Sequence, residues 1–255
     1  MQTITSKDNE KIKFLRKLKL KKYREKHNKF FVENFNIIKD SLEAEKFSSL
    51  YVTENFINKR SKDDGWRSVS EKAGEYYVIS EKANKSFSEL DTPSGICAVY
   101  ARRKEKIDFK SSVVYLNNIS DPGNLGTIFR SALAFNFKNI VVDEGCADLY
   151  NAKTINAAKD SIFKLNIARD KDLKIFKKIK EKMKVFTTGL EGGEDINILK
   201  NNKLFCAVFG SESGGVSEEI REKSDKFIKI KMSGEMESLN VAVAAAIIFY
   251  EARAR

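Results

Sequence analysis

Asn124 and Arg130 lie in ISDPGNLGTIFRSALAF (119–135), where an Asp-Pro-Gly turn runs into an otherwise apolar helical pattern. Asn124 is a good helix-capping residue. Arg130 keeps its charge at any ordinary pH, so on such a helix it is a snorkelling surface residue, one half of an ion pair, or an anion site. Glu212 sits in FGSESGGVSEEI (209–220), a strand ending in a Gly/Ser-rich turn that opens a helix. It can pair with Arg130 if both turns meet at the carboxyl edge of one parallel sheet. Ser238, Leu239 and Asn240 open a third helix in IKIKMSGEMESLNVAVAAA (228–246). Main-chain groups at a helix start are free for a ligand, and an amide among apolar residues costs stability unless bonded.

Neither glycine-rich stretch is a known nucleotide loop. GNLGTIF lacks the GxGxxG spacing, and SESGGVS lacks the Gly-Lys-Ser/Thr ending of a P-loop. His27 is the only histidine, which disfavours His-dependent triads and His-ligated metal sites, so no metal is expected. The three cysteines, Cys97, Cys146 and Cys206, are far apart and odd in number, as in core residues of a reducing cytoplasm. No apolar run is long enough for a membrane span, and the N-terminus lacks the apolar centre of a signal peptide.

The 255 residues carry a net charge of +11, unevenly spread. Residues 11–29 (KIKFLRKLKLKKYREKHNK) hold ten Lys/Arg against one Glu, whereas residues 107–255 hold 23 basic and 20 acidic residues. Phe14, Leu15, Leu18 and Tyr23 interleave with the cations, so a helix there docks by one face and offers Lys13, Arg16, Lys17, Lys21, Lys22 and Arg24 to phosphates.

Two α/β units position these residues. Residues 1–105 contain a basic helix over about 8–24, strands at KFFVEN, SSLYVT, EYYVIS and GICAVYA, a helix at NIIKDSLEAE and a turn at DTPSG (91–95). ARRKEKIDFKSS (101–112) reads as a linker. From 106 to 255 apolar strands (VVYLNNI, NIVVDE, IFKLNI, KVFTTG, KLFCAVFG, KFIKIKM) alternate with helical patterns, which points to βαβ units around a mostly parallel sheet. The last helix is apolar nearly all round from Leu239 to Tyr250, so it is buried in the core or at a subunit contact.

NNISDPGNLGTIFRSALAF, VFGSESGGVSEEI and IKMSGEMESLNVAVAAA, in this order, resemble the three signature motifs of the SpoU-type (TrmH-like) RNA 2′-O-ribose methyltransferases of the SPOUT superfamily. The resemblance covers residues 112–255. It extends weakly to the front, where TSKDNEKIKFLRKLKLKKYREKHNKFFVEN is similar to the L30e-like substrate-binding domain of the family's rRNA enzymes, and DTPSGICAV to its closing strand. It implies a deep trefoil knot, a homodimer, S-adenosylmethionine as cofactor, and methylation of a ribose 2′-hydroxyl in RNA. A large-subunit (23S-type) rRNA is the expected substrate because the N-terminal domain is full-sized. A tRNA enzyme and a non-catalytic RNA-binding or ribosome-assembly protein are the alternatives.

By position, the resemblance makes Asn124, Arg130, Glu212, Ser238 and Asn240 catalytic. It sets Thr187, Thr188, Gly189, Gly210, Ile230, Met232 and Leu239 on the cofactor. The family's Arg is often assigned as general base, yet removing a proton from any guanidinium at pH 7 costs about 7 kcal/mol. A charged clamp on phosphate and nascent alkoxide is the alternative, with Glu212 or Ser238 relaying the proton. Departures from the family pattern are Lys231 for the usual Pro, Asn156, Ala158 and Asp160 for an Arg, a Ser and a Gly, and Glu33-Asn34 for an EG signature.

Overall fold

A short edge strand, β1 (Gln2–Ile4), precedes the basic stretch, which folds as two helices, α1 (Glu10–Leu18) and α2 (Lys21–His27), and not as the single helix expected over 8–24. Asn9 caps α1, whose Ile12, Leu15 and Leu18 are buried at helical spacing. Leu20 then takes an extended conformation and breaks the helix. Arg24 explains how the break is held: it is buried, and its Nη1 donates to the carbonyls of Leu18 and Lys19 at 2.8 and 2.6 Å, satisfying acceptors that a helix end leaves open.

This computed structural model describes residues 2–189, 192–211 and 214–253, which divide into two units: residues up to 103 with 150–163, and 104–149 with 164 onward. The first continues with β2 (Lys29–Val32), α3 (Phe35–Ser41), β3 (Phe47–Thr53), α4 (Glu54–Lys59), α5 (Asp64–Glu71), β4 (Glu75–Ile79), α6 (Glu81–Phe87) and β5 (Ile96–Ala101). Its five-stranded sheet has the order β1-β4-β3-β5-β2, parallel from β1 to β3 and antiparallel at β5. Asn34, where the family pattern has Gly, caps α3 by accepting from the main-chain N–H groups of Asn36 and Ile37. The core joins Ile12, Leu15 and Leu18 to Phe31, Tyr51, Ile79 and Phe87.

The second unit runs β6 (Val113–Leu116), α7 (Pro122–Ala134) and β7 (Asn139–Val142). Next come α8 (Ala152–Ala158), whose contacts place it in the first unit, and α9 (Ser161–Lys164). It resumes with β8 (Asn166–Arg169), α10 (Lys174–Lys182), β9 (Lys184–Thr188), β10 (Glu194–Asp195), a 3₁₀ turn at Ile196–Asn201, β11 (Phe205–Phe209), α11 (Glu218–Glu222), β12 (Lys226–Lys229) and α12 (Val241–Ala252). All pairings in its seven-stranded sheet, ordered β10-β12-β9-β11-β6-β7-β8, are parallel. Every residue of β6, β7 and β11 is buried, as continuous apolar strands covered on both faces require. Phe176 and Ile179 of α10 and Ile220 of α11 cover one face. On the other, α12 packs on α7 and the 3₁₀ turn, and Phe249 stacks on Phe137 and meets Phe209 edge-on.

The chain steps outward from β6 to β7 and β8, then reappears on the opposite side at β9, and β11 inserts between β9 and β6. Such a reversal of strand order opens a crevice at the carboxyl ends of the strands flanking it. Among the described residues no helix is long and apolar enough to cross a membrane, and no cluster of His, Cys, Asp and Glu is placed to hold a metal ion. Cys97, Cys146 and Cys206 are free and buried, and burial raises all three thiol pKa values.

Candidate active site

The loop after β6 enters α7 through Asp121, whose Oδ1 accepts from the Asn124 main-chain N–H at 2.7 Å, with Pro122 as the first helical residue. The cap is therefore Asp121, and Asn124 lies inside the first turn. Proline's missing N–H and fixed φ suit the position right after the cap, so the Asn124 side chain is not needed to start the helix. Leu125, Ile128, Phe129 and Ala132 face the core, while Thr127, Arg130 and Ala134 form the exposed stripe. Arg130 is thus exposed rather than partly buried, and it has no ion-pair partner among the described residues.

β11 ends at Gly210, which cannot carry a side chain: a Cβ there would stand 2.1 Å from the Gly215 carbonyl carbon. The close approach is sealed by mutual main-chain bonds between Ser211 and Gly215, at 3.0 and 2.9 Å, and Gly215 adopts φ +62°. Glu212, the acidic residue expected opposite Arg130, lies outside the described residues.

The third loop begins at the end of β12. Residues 230–239 have no regular secondary structure; Ile230, Met232 and Leu239 are half-buried and Ser238 is exposed. Asn240 caps α12, its Oδ1 accepting from Ala242 and Val243 N–H at 2.9 and 3.3 Å. Its Nδ2 donates to Asn124 Oδ1 at 3.0 Å, so the first and third loops meet through two amides. β9, paired between β11 and β12, ends at Thr188-Gly189. The Thr187 hydroxyl is buried against Ser224 Oγ at 2.5 Å, Thr188 Oγ1 donates to the Val208 carbonyl, and Gly189 N–H to that of Ile228. Both threonine hydroxyls are therefore occupied, Thr187 tying β9 to the connection between α11 and β12 and Thr188 tying it to β11.

Asn117, not anticipated from the sequence, joins the remaining pieces. It is buried, its Oδ1 accepts from Ser217 N–H at 2.7 Å, and its Nδ2 donates to Asp143 Oδ2 at 2.6 Å. Its only sequence signal is an amide directly after four buried strand residues.

Of the cations expected to face phosphates, Lys17, Lys21 and Lys22 are exposed. Lys13 pairs with Glu10 at 2.8 Å, and Arg16 donates to the Lys7 carbonyl at 3.2 Å. Arg24 does not belong with them: it is buried and bound to α1 carbonyls.

A parallel sheet with a strand-order reversal, three loops converging at its carboxyl edge, an exposed cation on the adjoining helix and a separate basic α/β unit together define a two-unit protein built to act on a polyanion. Residues 111–250 match the SpoU rRNA Methylase family and residues 9–98 the MRM3-like substrate binding domain. The 23S rRNA (guanosine(2553)-2′-O)-methyltransferase RlmP of Bacillus subtilis is 33% identical over 99% of this chain and 100% of its own. A solved RNA 2′-O ribose methyltransferase is 25% identical with a TM-score of 0.80, covering 98% of both chains. The AdoMet-bound rRNA methyltransferase of Sinorhizobium meliloti, 24% identical, shares the fold over 98% of this chain and 97% of its own, with a TM-score of 0.84. The chain belongs to the SpoU rRNA methylase family.

Proposed function

We propose that this protein is an S-adenosylmethionine-dependent methyltransferase that modifies a ribose 2′-hydroxyl in large-subunit rRNA, acting in the cytoplasm as a homodimer. The observation carrying the reading is the Asn240–Asn124 contact, which brings two motif loops together beside the Gly210 turn while Arg130 stays exposed on the same helix. The Bacillus relative of matching length, named for a 23S rRNA guanosine, supports the substrate class.

The residues present suit the cofactor. Half-buried Ile230, Met232 and Leu239 offer apolar contact for an adenine ring and a thioether chain, Gly189 leaves room for close main-chain approach, and Gly210 packed on Gly215 holds the neighbouring turn in shape. When bound, S-adenosylmethionine supplies an electrophilic methyl group on a sulfonium. Arg130, still charged, holds the substrate phosphate in its planar fork and stabilises the alkoxide that develops on the ribose. Ser238 and Glu212 are the groups assigned to receive the hydroxyl proton. Asn124 and Asn240 hold their loops in one geometry, and since charge is neutralised as the methyl moves, a site screened from water favours the reaction.

The exposed cations Lys17, Lys21 and Lys22, with Lys13 and Arg16, bind RNA phosphates. Val243 and Tyr250, seven residues apart on α12, are 48% and 53% exposed, an apolar face suited to a second copy of the chain. A trefoil knot accords with β11 standing between β9 and β6 and with α12 packing back on α7. The test is to incubate the protein with S-adenosylmethionine and unmodified total RNA, separate rRNA from tRNA, and analyse the nucleosides by mass spectrometry. A new 2′-O-methylnucleoside in large-subunit rRNA is expected. Its appearance in tRNA instead would overturn the substrate assignment.

A further inference from the structure

We infer that Asn117 is a positioning residue of the reaction, its side-chain amide locking the far end of the Gly210–Ser217 loop to the β6 and β7 ends so that the cofactor edge keeps one geometry. This rests on the methyltransferase reading above. The loop is pinned at its near end by Gly210 packed on Gly215 and by the mutual Ser211–Gly215 bonds. At its far end Ser217, which precedes α11, donates its N–H to Asn117 Oδ1 at 2.7 Å, across 100 residues of sequence. The other half of the amide donates to Asp143 Oδ2 at 2.6 Å. Asp143 is anchored in turn by the N–H groups of Asn118, Gly145 and Cys146, all reaching its Oδ1 at 3.0–3.1 Å. The main chain completes the clamp, with Asn117 N–H donating to the Phe209 carbonyl at 2.9 Å, directly before Gly210.

The partners dictate the residue type. Ser217 N–H only donates, so an oxygen must face it; a carboxylate only accepts, so a donor must face Asp143. An Asp at 117 would keep the first bond and set carboxyl against carboxyl in the second, inside a buried site where such contacts are costly. Exchanging the pair restores complementarity. In N117D/D143N the new Asn presents Nδ2 where Asp143 Oδ2 stood and gives up only the second contact of the Asn118 N–H, at 3.1 Å to Oδ2; its Oδ1 still accepts the three main-chain donors, and the new Asp accepts from both neighbours.

The experiment compares wild type, N117D, D143N and N117D/D143N. The readouts are calorimetric binding of S-adenosylhomocysteine, kcat and KM for RNA, and the melting temperature. Expected are losses of about tenfold or more in cofactor affinity and in kcat for each single variant, as suits a partly buried, charge-assisted bond. KM for RNA should change little, and the exchange should recover most of both losses. Three results would overturn the inference: a double variant no better than the worse single one, singles that lose only melting temperature, or singles that match wild type throughout. Should N117D fail to fold, recovery from D143N to the double variant carries the same test. A wild type that neither binds the cofactor analogue nor transfers methyl would instead refute the underlying reading.

Discussion

Asn240 donates its side-chain amide to the side-chain carbonyl of Asn124 at 3.0 Å, although 116 residues separate them. Asn240 also caps α12 through its Oδ1, so one side chain starts a helix and fastens the loop before it to α7. Asn240→Asp separates the two tasks, since a carboxylate still caps but no longer donates. The variant should melt close to wild type and lose on the order of tenfold in kcat/KM, about 1.4 kcal/mol. Asn240→Ala should lose about 1 kcal/mol of stability as well, read from denaturant midpoints. Combining N240D with Asn124→Ala should cost little beyond the larger single effect, because both remove the same hydrogen bond.

Arg130 is exposed and unpaired among the described residues, so its removal touches the chemistry and spares the fold. Arg130→Ala should shift stability by no more than about 0.5 kcal/mol, yet lower kcat by roughly 10²–10³-fold, the range for deleting a donor aimed at developing charge. Arg130→Lys keeps the charge without the fork and should recover only part of the rate in the same steady-state assay.

Gly210→Ala places a methyl group where Gly215 already sits, at 2.1 Å. The Ser211–Gly215 turn must open to admit it, at a cost of about 1–3 kcal/mol. Cofactor affinity measured by calorimetry should fall, whereas RNA binding through the first unit should stay near wild type.

Arg24 and its basic neighbours should respond oppositely. Replacing Lys17, Lys21 and Lys22 together should leave the melting temperature in place and flatten the salt dependence of RNA binding by about 0.7 in log–log slope for each phosphate no longer neutralised. Arg24→Met should leave the slope unchanged but lower stability, because the Leu18 and Lys19 carbonyls lose their donor.

Glu33 supplies a pH signature. Burial is the main cause raising its pKa above the ordinary carboxyl value, opposed by the hydrogen bond from Glu89 N–H, while nearby Glu89 is itself raised by burial and countered by Arg24 and Lys19. The folded state then holds the Glu33 proton where the unfolded state has released it. Stability from this group is full below the ordinary glutamate value and declines as pH rises through the raised one. Denaturant unfolding across that range should show a smaller decline in Glu33→Gln than in wild type.

Much of the second unit was legible because its strands are short continuous apolar runs: VVYL, NIVV and FCAVF lie buried as their pattern requires. The starts of α7 and α12 could be placed as well, from Pro122 and from Asn240 ahead of an apolar helix. Cap identity in α7 was not, since Asp121 and Asn124 both suit the role and only the position of Pro122 selects between them. The first unit hid more. α4 and α5 lie in a polar stretch, bury only Phe56 and the Trp66–Val69 pair, and begin at the caps Thr53 and Asp63, weak signals in a chain rich in such residues. The break between α1 and α2 was invisible because the cation that holds it, Arg24, matches the exposed lysines around it in composition. Asn117 could not be found from spacing at all, since its partners lie 26 and 100 residues away.

The most direct test of the account is transfer of label from methyl-labelled S-adenosylmethionine to unmodified large-subunit rRNA, with wild type and Arg130→Ala assayed in parallel at matched folded concentration. Label retained on a ribose 2′-oxygen with wild type, and reduced at least about a hundredfold in the variant, is the predicted result. Equal transfer by both proteins, or no transfer by wild type to any RNA, would contradict it.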